Sequence, residues 1–415
     1  MFDAKNIIAS AHSAATLAAH LVSQIEDAPA RGILPNISLR QSRRDVLSMV
    51  AATAVCSIAT EGIAASPANE DELDASTAQL QAAQNAANSV PGPRFVPGRS
   101  IPVPTTASPE FQQTIAAPYR IPAWDADPKT SAEWKALVDR LADETVVQTR
   151  KVRDRLGVTL ESTVIDGVKA FVLTPKTVAT SNKNRLLVHV HGGGFVYNPG
   201  EAASLEATLM AGYGGFKVIS VDYRMPPDYP FPAGLDDAMR VWRAALKMHD
   251  PRNMAIFGSS AGAGMILAMM LRAKAEGLSL PAALGTGTPW ANLTESGDTS
   301  KTNEWLDNVL VSYSGYLGRA ARLYANGRPL TDPLISPIFG DFRNFPPTIL
   351  TSGTRDLLLS LTVLTHRKLR QAGVEAYLQV FEGMSHFQFI LDTEAPESNE
   401  AFTEIAGFFD RHLGT

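Results

Sequence analysis

Two hydrophobic periods take turns along the chain from about residue 130 onward. Trp134, Leu137, Val138 and Leu141 recur at the spacing of one helix face, and Thr130 with Glu133 forms a capping box at its start. This predicts an amphipathic helix with one buried face. Next, "STVIDGVKAFVL" (162–173) places two strand-like runs around Asp166-Gly167, a turn pair suited to a hairpin. Strands and helices then alternate. "RLLVHVHGG" reads as a strand, 202–214 as a helix, "FKVISVDYR" as a strand, 234–249 as a helix, "NMAIFG" as a strand and "AGAGMILAMMLRAKAEG" as a helix. The segment 281–289 is a further strand, followed later by strand 346–353, helix 358–373, strand 375–383 and a last helix at 398–412. Apolar, β-branched strands alternating with helices specify an α/β fold, with a mostly parallel sheet covered on both faces. Residues 292–340 do not alternate, and their Tyr, Leu and Trp content predicts a helical insertion.

The first part of the chain has a different character. Arg43 and Arg44 precede a run without charge (46–60), and small residues follow at Ala64, Ala65 and Ser66. That order matches an export signal of twin-arginine type, and the uncharged run is shorter than the about 20 residues that span a bilayer. Residues 67–124 are first rich in Ala, Gln and Asn, then in proline, and read as a linker or as an arm wrapped on the domain. The expected organisation is therefore a signal at 1–66, a linker or arm at 67–124 and the folded α/β domain at 125–415. Export would place the product in the periplasm or outside the cell; without a working signal it would stay in the cytoplasm.

Composition removes several function classes. A net charge of −5 offers no basic surplus for nucleic acid, and one cysteine, Cys56, allows neither a disulfide within the chain nor a cysteine-based metal site.

Chemistry concentrates in "NMAIFGSSAGAG". A strand, a sharp turn and a helix around G-x-S-x-G is the setting of a nucleophile elbow. Ser260 has glycine at both flanking positions, Gly258 and Gly262; Ser259 has Phe257 and Ala261 there, so Ser260 is the candidate nucleophile. A serine needs a base, and that base an orienting acid. Of the three histidines after Ser260, His366 lies mid-helix and His412 in the last helix, whereas His386 follows a strand in "FEGMSHFQF". Asp356 leaves the preceding strand in the same way and is the candidate acid. "HVHGGGFVY" (189–197) offers backbone N–H groups that side chains do not obstruct, and the N–H of Ala261 follows the nucleophile. Together these suit an oxyanion site.

These residues resemble those of the hormone-sensitive-lipase-like esterases, a branch of the α/β-hydrolases. The resemblance rests on "HGGGF", "VDYRMPPDYPFPAGLDD", "GSSAGAG", "DPLISPIFGDFRNFPPTIL" and "GMSHFQF". It implies an α/β-hydrolase fold with a helical cap at about 125–156 and 291–335. It also implies Ser260, Asp356 and His386 as the triad and Gly193, Gly194 and Ala261 as oxyanion donors. The implied reaction is hydrolysis of small carboxylic esters or lactones through an acyl-serine, without cofactor or metal. Trp290, Trp305, Tyr313 and Tyr316 are candidate pocket walls. Two other readings compete, an amidase or peptidase of the same fold and a non-catalytic ligand receptor. The oligomeric state is open, with a homodimer among the options. Serine at 259 and at 360 departs from the family pattern, and no reason for Ser259 is visible in the sequence.

Overall fold

A computed structural model describes residues 70–415, apart from 90, 95, 97, 122, 123 and 415. The export-like segment lies outside the described residues. The chain divides into two compact units, Met1–Ile101 and Pro102–Thr415. The first contains helix α1 (Glu70–Ala87). No described helix is long and apolar enough to cross a membrane.

The second unit begins with the last part of the proline-rich segment, which packs on the domain. Helix α2 (Pro109–Ala116) starts on Ser108, whose hydroxyl accepts the Phe111 N–H, with proline at its first position. It buries Phe111 and Ile115, and the N–H and hydroxyl of Ser108 both donate to Glu397 at 2.8 and 2.7 Å. Helix α3 (Ser131–Leu156) follows, closed at its start by the Thr130–Glu133 capping box and at its end by Gly157 in the left-handed region, φ 63°.

Strands β1 (Thr159–Ile165) and β2 (Val168–Thr174) form the hairpin, turning through Asp166 and Gly167 at φ 48° and 79°. Then come β3 (Leu186–Val190), α4 (Leu205–Gly214), β4 (Val218–Val221), α5 (Ala233–Met248), β5 (Met254–Ser259), α6 (Ala261–Ala275) and β6 (Ala283–Gly287). After the insertion, which contains α7 (Gly318–Ala325), come β7 (Thr348–Gly353), α8 (Leu359–Gln371), β8 (Ala376–Phe381) and α9 (Pro396–His412). The eight strands form one sheet in the order β1-β2-β4-β3-β5-β6-β7-β8. From β4 through β8 in that order the neighbours are parallel, while β1 and β2 are antiparallel at one edge.

Successive strand residues feed opposite cores. Val188, Ile256, Leu284 and Leu350 pack with α5, α6 and α8 on one face. Leu187, Ala255, Ala283 and Ile349 pack with α2, α4 and α9 on the other. Because the sheet is covered on both faces, β3 to β7 are buried along their whole length and largely apolar, with buried polar residues such as His189 and Ser220 among them.

The insertion departs from expectation. Within 292–340 the only α-helix longer than one turn is α7. Gly297, Gly315, Pro329, Pro333 and Pro337 interrupt the rest, and side chains such as Asn292 and Asp307 accept backbone N–H groups and hold it as turns.

Candidate active site

β5 ends at Ser259 and α6 begins at Ala261, so Ser260 alone makes the turn, at φ 56° and ψ −123°. A non-glycine residue there is strained and persists only because its surroundings fix it. The Ser260 N–H donates to the Gly287 carbonyl at 2.8 Å, and its own carbonyl accepts from Gly264 and Trp290, each at 3.0 Å. The flanking glycines are steric necessities. A Cβ on Gly258 or on Gly262 would stand 2.0 Å from the Val190 carbonyl oxygen.

The loops after β7 and β8 bring Asp356 and His386 to this turn. His386 Nε2 lies 2.9 Å from Ser260 Oγ, and Nδ1 lies 2.9 Å from Asp356 Oδ1. An ionised carboxylate only accepts, so Nδ1 donates and Nε2 is left to accept the serine proton. Asp356 is completely buried; its Oδ1 also accepts the Leu358 N–H at 2.8 Å and its Oδ2 the Ser352 hydroxyl at 2.6 Å. These bonds satisfy the carboxylate and fix which oxygen faces the imidazole.

Facing Ser260, the glycine run after β3 turns sharply, with Gly193 at φ 112° and Gly194 at 61°. Gly193 is crowded, since a Cβ there would stand 2.7 Å from the Tyr197 carbonyl oxygen. No hydrogen bond among the described residues uses the N–H of Gly193, Gly194 or Ala261. His191 anchors the run: its Nδ1 donates to the Gly192 carbonyl at 2.8 Å, and its ring stacks on Tyr223 at 4.0 Å. Burial pushes His191 down to about 3, so it is a neutral structural group at working pH.

A family model described as the alpha/beta hydrolase fold matches residues 187–390. An esterase of Acinetobacter venetianus is 30% identical over 232 residues, which are 55% of this chain and 76% of the relative. The crystal structure of esterase E25 is 42% identical, with a TM-score of 0.75 over 78% of this chain and 99% of that one. An esterase from the bacterial hormone-sensitive lipase family follows at 26% identity and TM-score 0.63, covering 74% and 99%. The chain belongs to the hormone-sensitive-lipase-like esterases.

In this esterase the position of Ser259 has a physical reason. Its hydroxyl donates to Glu206 Oε1 at 2.7 Å, Glu206 Oε2 lies 3.1 Å from His189 Nε2, and His189 Nδ1 lies 2.9 Å from Ser220 Oγ. All four are buried. A buried carboxylate needs donors, and Ser259 is one of them. Glu206 appeared in the sequence only as a polar residue in a predicted helix.

Ser260, His386 and the glycine run open on a cavity of about 250 Å³. Its apolar walls include Ile121, Leu141, Val309, Leu310, Tyr316 and Leu317. Segments from both predicted cap regions therefore contribute, together with Arg120 and Ile121 from the arm. Of the four aromatic residues expected at the pocket, only Tyr316 lines it. Trp290 is fully buried, Trp305 is 58% exposed, and Tyr313 is half-buried with its hydroxyl on the Leu293 carbonyl at 2.5 Å. Ring size alone did not say which aromatic faces the cavity. Asp307 was missed altogether, and lies against both Asp356 and His386.

Proposed function

We propose that this esterase hydrolyses small carboxylic esters or lactones through an acyl-serine intermediate. The observation that carries the reading is the unbroken contact from Ser260 Oγ through His386 to Asp356, at 2.9 and 2.9 Å. Ser260 Oγ attacks the acyl carbonyl while His386 Nε2 takes its proton, and Asp356 holds the imidazole in the tautomer that can do so. The N–H groups of Gly193, Gly194 and Ala261 receive the negative oxygen that forms, a contribution of roughly 3 kcal/mol per donor in comparable sites. Collapse breaks the ester C–O bond, and the leaving alkoxide takes the proton from His386. A water, deprotonated by His386, then attacks the acyl-serine; the second collapse frees the acid and returns the proton to Ser260 Oγ. In a lactone the leaving alkoxide stays tethered to the acyl group.

The cavity of about 250 Å³ with mostly apolar walls supports small acyl and alkoxy groups. Parallel assays on p-nitrophenyl esters, lactones and p-nitroanilides test the reading. Ester or lactone turnover that disappears in Ser260→Ala is expected. Turnover surviving that substitution, or a preference for anilides, contradicts it. The paired Arg43 and Arg44 before an apolar run support export of the esterase; recovery of the full-length chain in the cytoplasm alone would argue against that part.

A further inference from the structure

Asp307, on the insertion between β6 and β7, is a buried carboxylate that the mechanism above does not use. Its Oδ1 accepts the N–H groups of its own turn, Val309 at 2.8 Å and Leu310 at 3.0 Å. Its Oδ2 accepts the N–H of Leu357 at 2.7 Å and that of His386 at 3.2 Å. Leu357 is the residue after Asp356. One oxygen therefore grips the loop that carries the acid and the loop that carries the histidine.

The neighbouring residue fixes this clamp from outside. Asn308 Nδ2 donates to the carbonyls of Thr114 and Ala117 at 3.0 and 3.1 Å, and Asn308 Oδ1 accepts from Gln388 at 2.8 Å. Its N–H donates to Ser385 Oγ at 3.2 Å, one residue before His386.

We infer that Asp307 is a positioning residue: its carboxylate sets the separation of Asp356 and His386 through their backbones, and adds a second negative charge beside the imidazole. The inference rests on the triad reading above. Apart from the His386–Asp356 contact itself, the loops after β7 and β8 bond directly only near their roots, the Arg355 N–H to the Met384 carbonyl at 3.0 Å and the Gly383 N–H to Thr354 Oγ1 at 2.8 Å. Asp307 adds a bridge further out, at Leu357 and at His386 itself. A misplacement of about 1 Å at a reacting group costs on the order of 10²-fold in rate. The charge has its own effect, because an anion near His386 favours the imidazolium formed when the ring takes the serine proton.

The groups facing Asp307 are Asp356 from the loop after β7, His386 from the loop after β8, and Tyr316 from the insertion itself. Burial and the Asp356 charge push the Asp307 carboxyl up to about 6, against the pull of His386 and of the donated N–H groups. Burial keeps the Tyr316 phenol neutral. Above about 6 Asp307 is the anion the clamp requires, and below it the clamp takes up a proton.

The test is Asp307→Asn, which keeps the shape but can accept on one side only. Active sites are counted with a fluorophosphonate, so that misfolded protein does not enter the rate. The expected result is kcat per site lower by on the order of 10²-fold with KM changed by only a few-fold. A residue that served folding alone would lower the number of sites and leave kcat per site intact; that result overturns the inference. The second readout is a pH profile: below about 6, log kcat/KM should fall less steeply in Asp307→Asn than in the native enzyme, and identical profiles overturn the inference. Should Asp307→Asn not fold, Asp307→Glu, which keeps the carboxylate but displaces it, should lower kcat per site, and native kcat per site there overturns the inference. If Ser260→Ala retains turnover, the triad reading itself has failed. If Ser260→Ala is inert and Asp307→Asn has native kcat and pH profile, only the role of Asp307 has failed.

Discussion

Ser260 and Ser259 are neighbours, and each belongs to a chain containing a histidine and a carboxylate, but the order differs. From Ser260 the imidazole comes first and the carboxylate second, with 2.9 Å at each step. From Ser259 the carboxylate of Glu206 comes first, at 2.7 Å, and His189 lies beyond it. A carboxylate directly on a hydroxyl is a weak base for a serine proton, whereas an imidazole held in one tautomer matches the task near neutral pH. Access differs too. Ser260 stands on a strained turn at the cavity, while Ser259 ends a strand and is entirely buried. The same three kinds of side chain thus suit the proposed hydrolysis in one arrangement and hold the sheet to α4 in the other.

Alanine at each serine separates the two chains. Ser260→Ala should lower kcat by ~10⁶-fold, as triad knockouts do, and leave the thermal midpoint close to native. Asp356→Asn should cost about 10⁴-fold, because the amide favours the wrong imidazole tautomer. Ser259→Ala should change kcat by only a few-fold. Its cost should appear in urea unfolding, at about 1–3 kcal/mol, since a buried Glu206 oxygen loses a donor. A loss of kcat in Ser259→Ala comparable to that of Ser260→Ala would erase the distinction.

A subtler effect is stability against pH. Asp307 is raised from 3.8 to about 6 in the fold. Between these values the folded state holds a proton that the unfolded chain has released, so this group's contribution is present below about 4 and lost as pH rises through about 6. The stability of the native enzyme relative to Asp307→Asn should therefore fall from pH 4 to pH 6 and level off above; urea midpoints across that range measure it. A difference that rises with pH would contradict the assignment.

What the sequence revealed follows the reach of each interaction. Ser260 was legible because Gly258 and Gly262 are fixed by contacts of their own segment with β3, and the glycine spacing records that locally. His386 and Asp356 were legible through topology, since both leave the C-terminal ends of parallel strands, where such sheets gather their chemistry. Asp307 left no such trace. It lies in a segment without helix or strand periodicity, and its partners are 50 and 79 residues away. The one local hint was an acid in "WLDNVL", between apolar residues that would bury it. Ser259 was unexplained for the same reason: Glu206 is 53 residues away and looks ordinary in its own helix.

The most direct measurement is covalent labelling. The native enzyme, Ser259→Ala and Ser260→Ala are each treated with a fluorophosphonate, digested and mapped by mass spectrometry. The account predicts one adduct on Ser260 in the native and Ser259→Ala proteins, and none in Ser260→Ala. An adduct on Ser259, or labelling that survives the loss of Ser260, would contradict it.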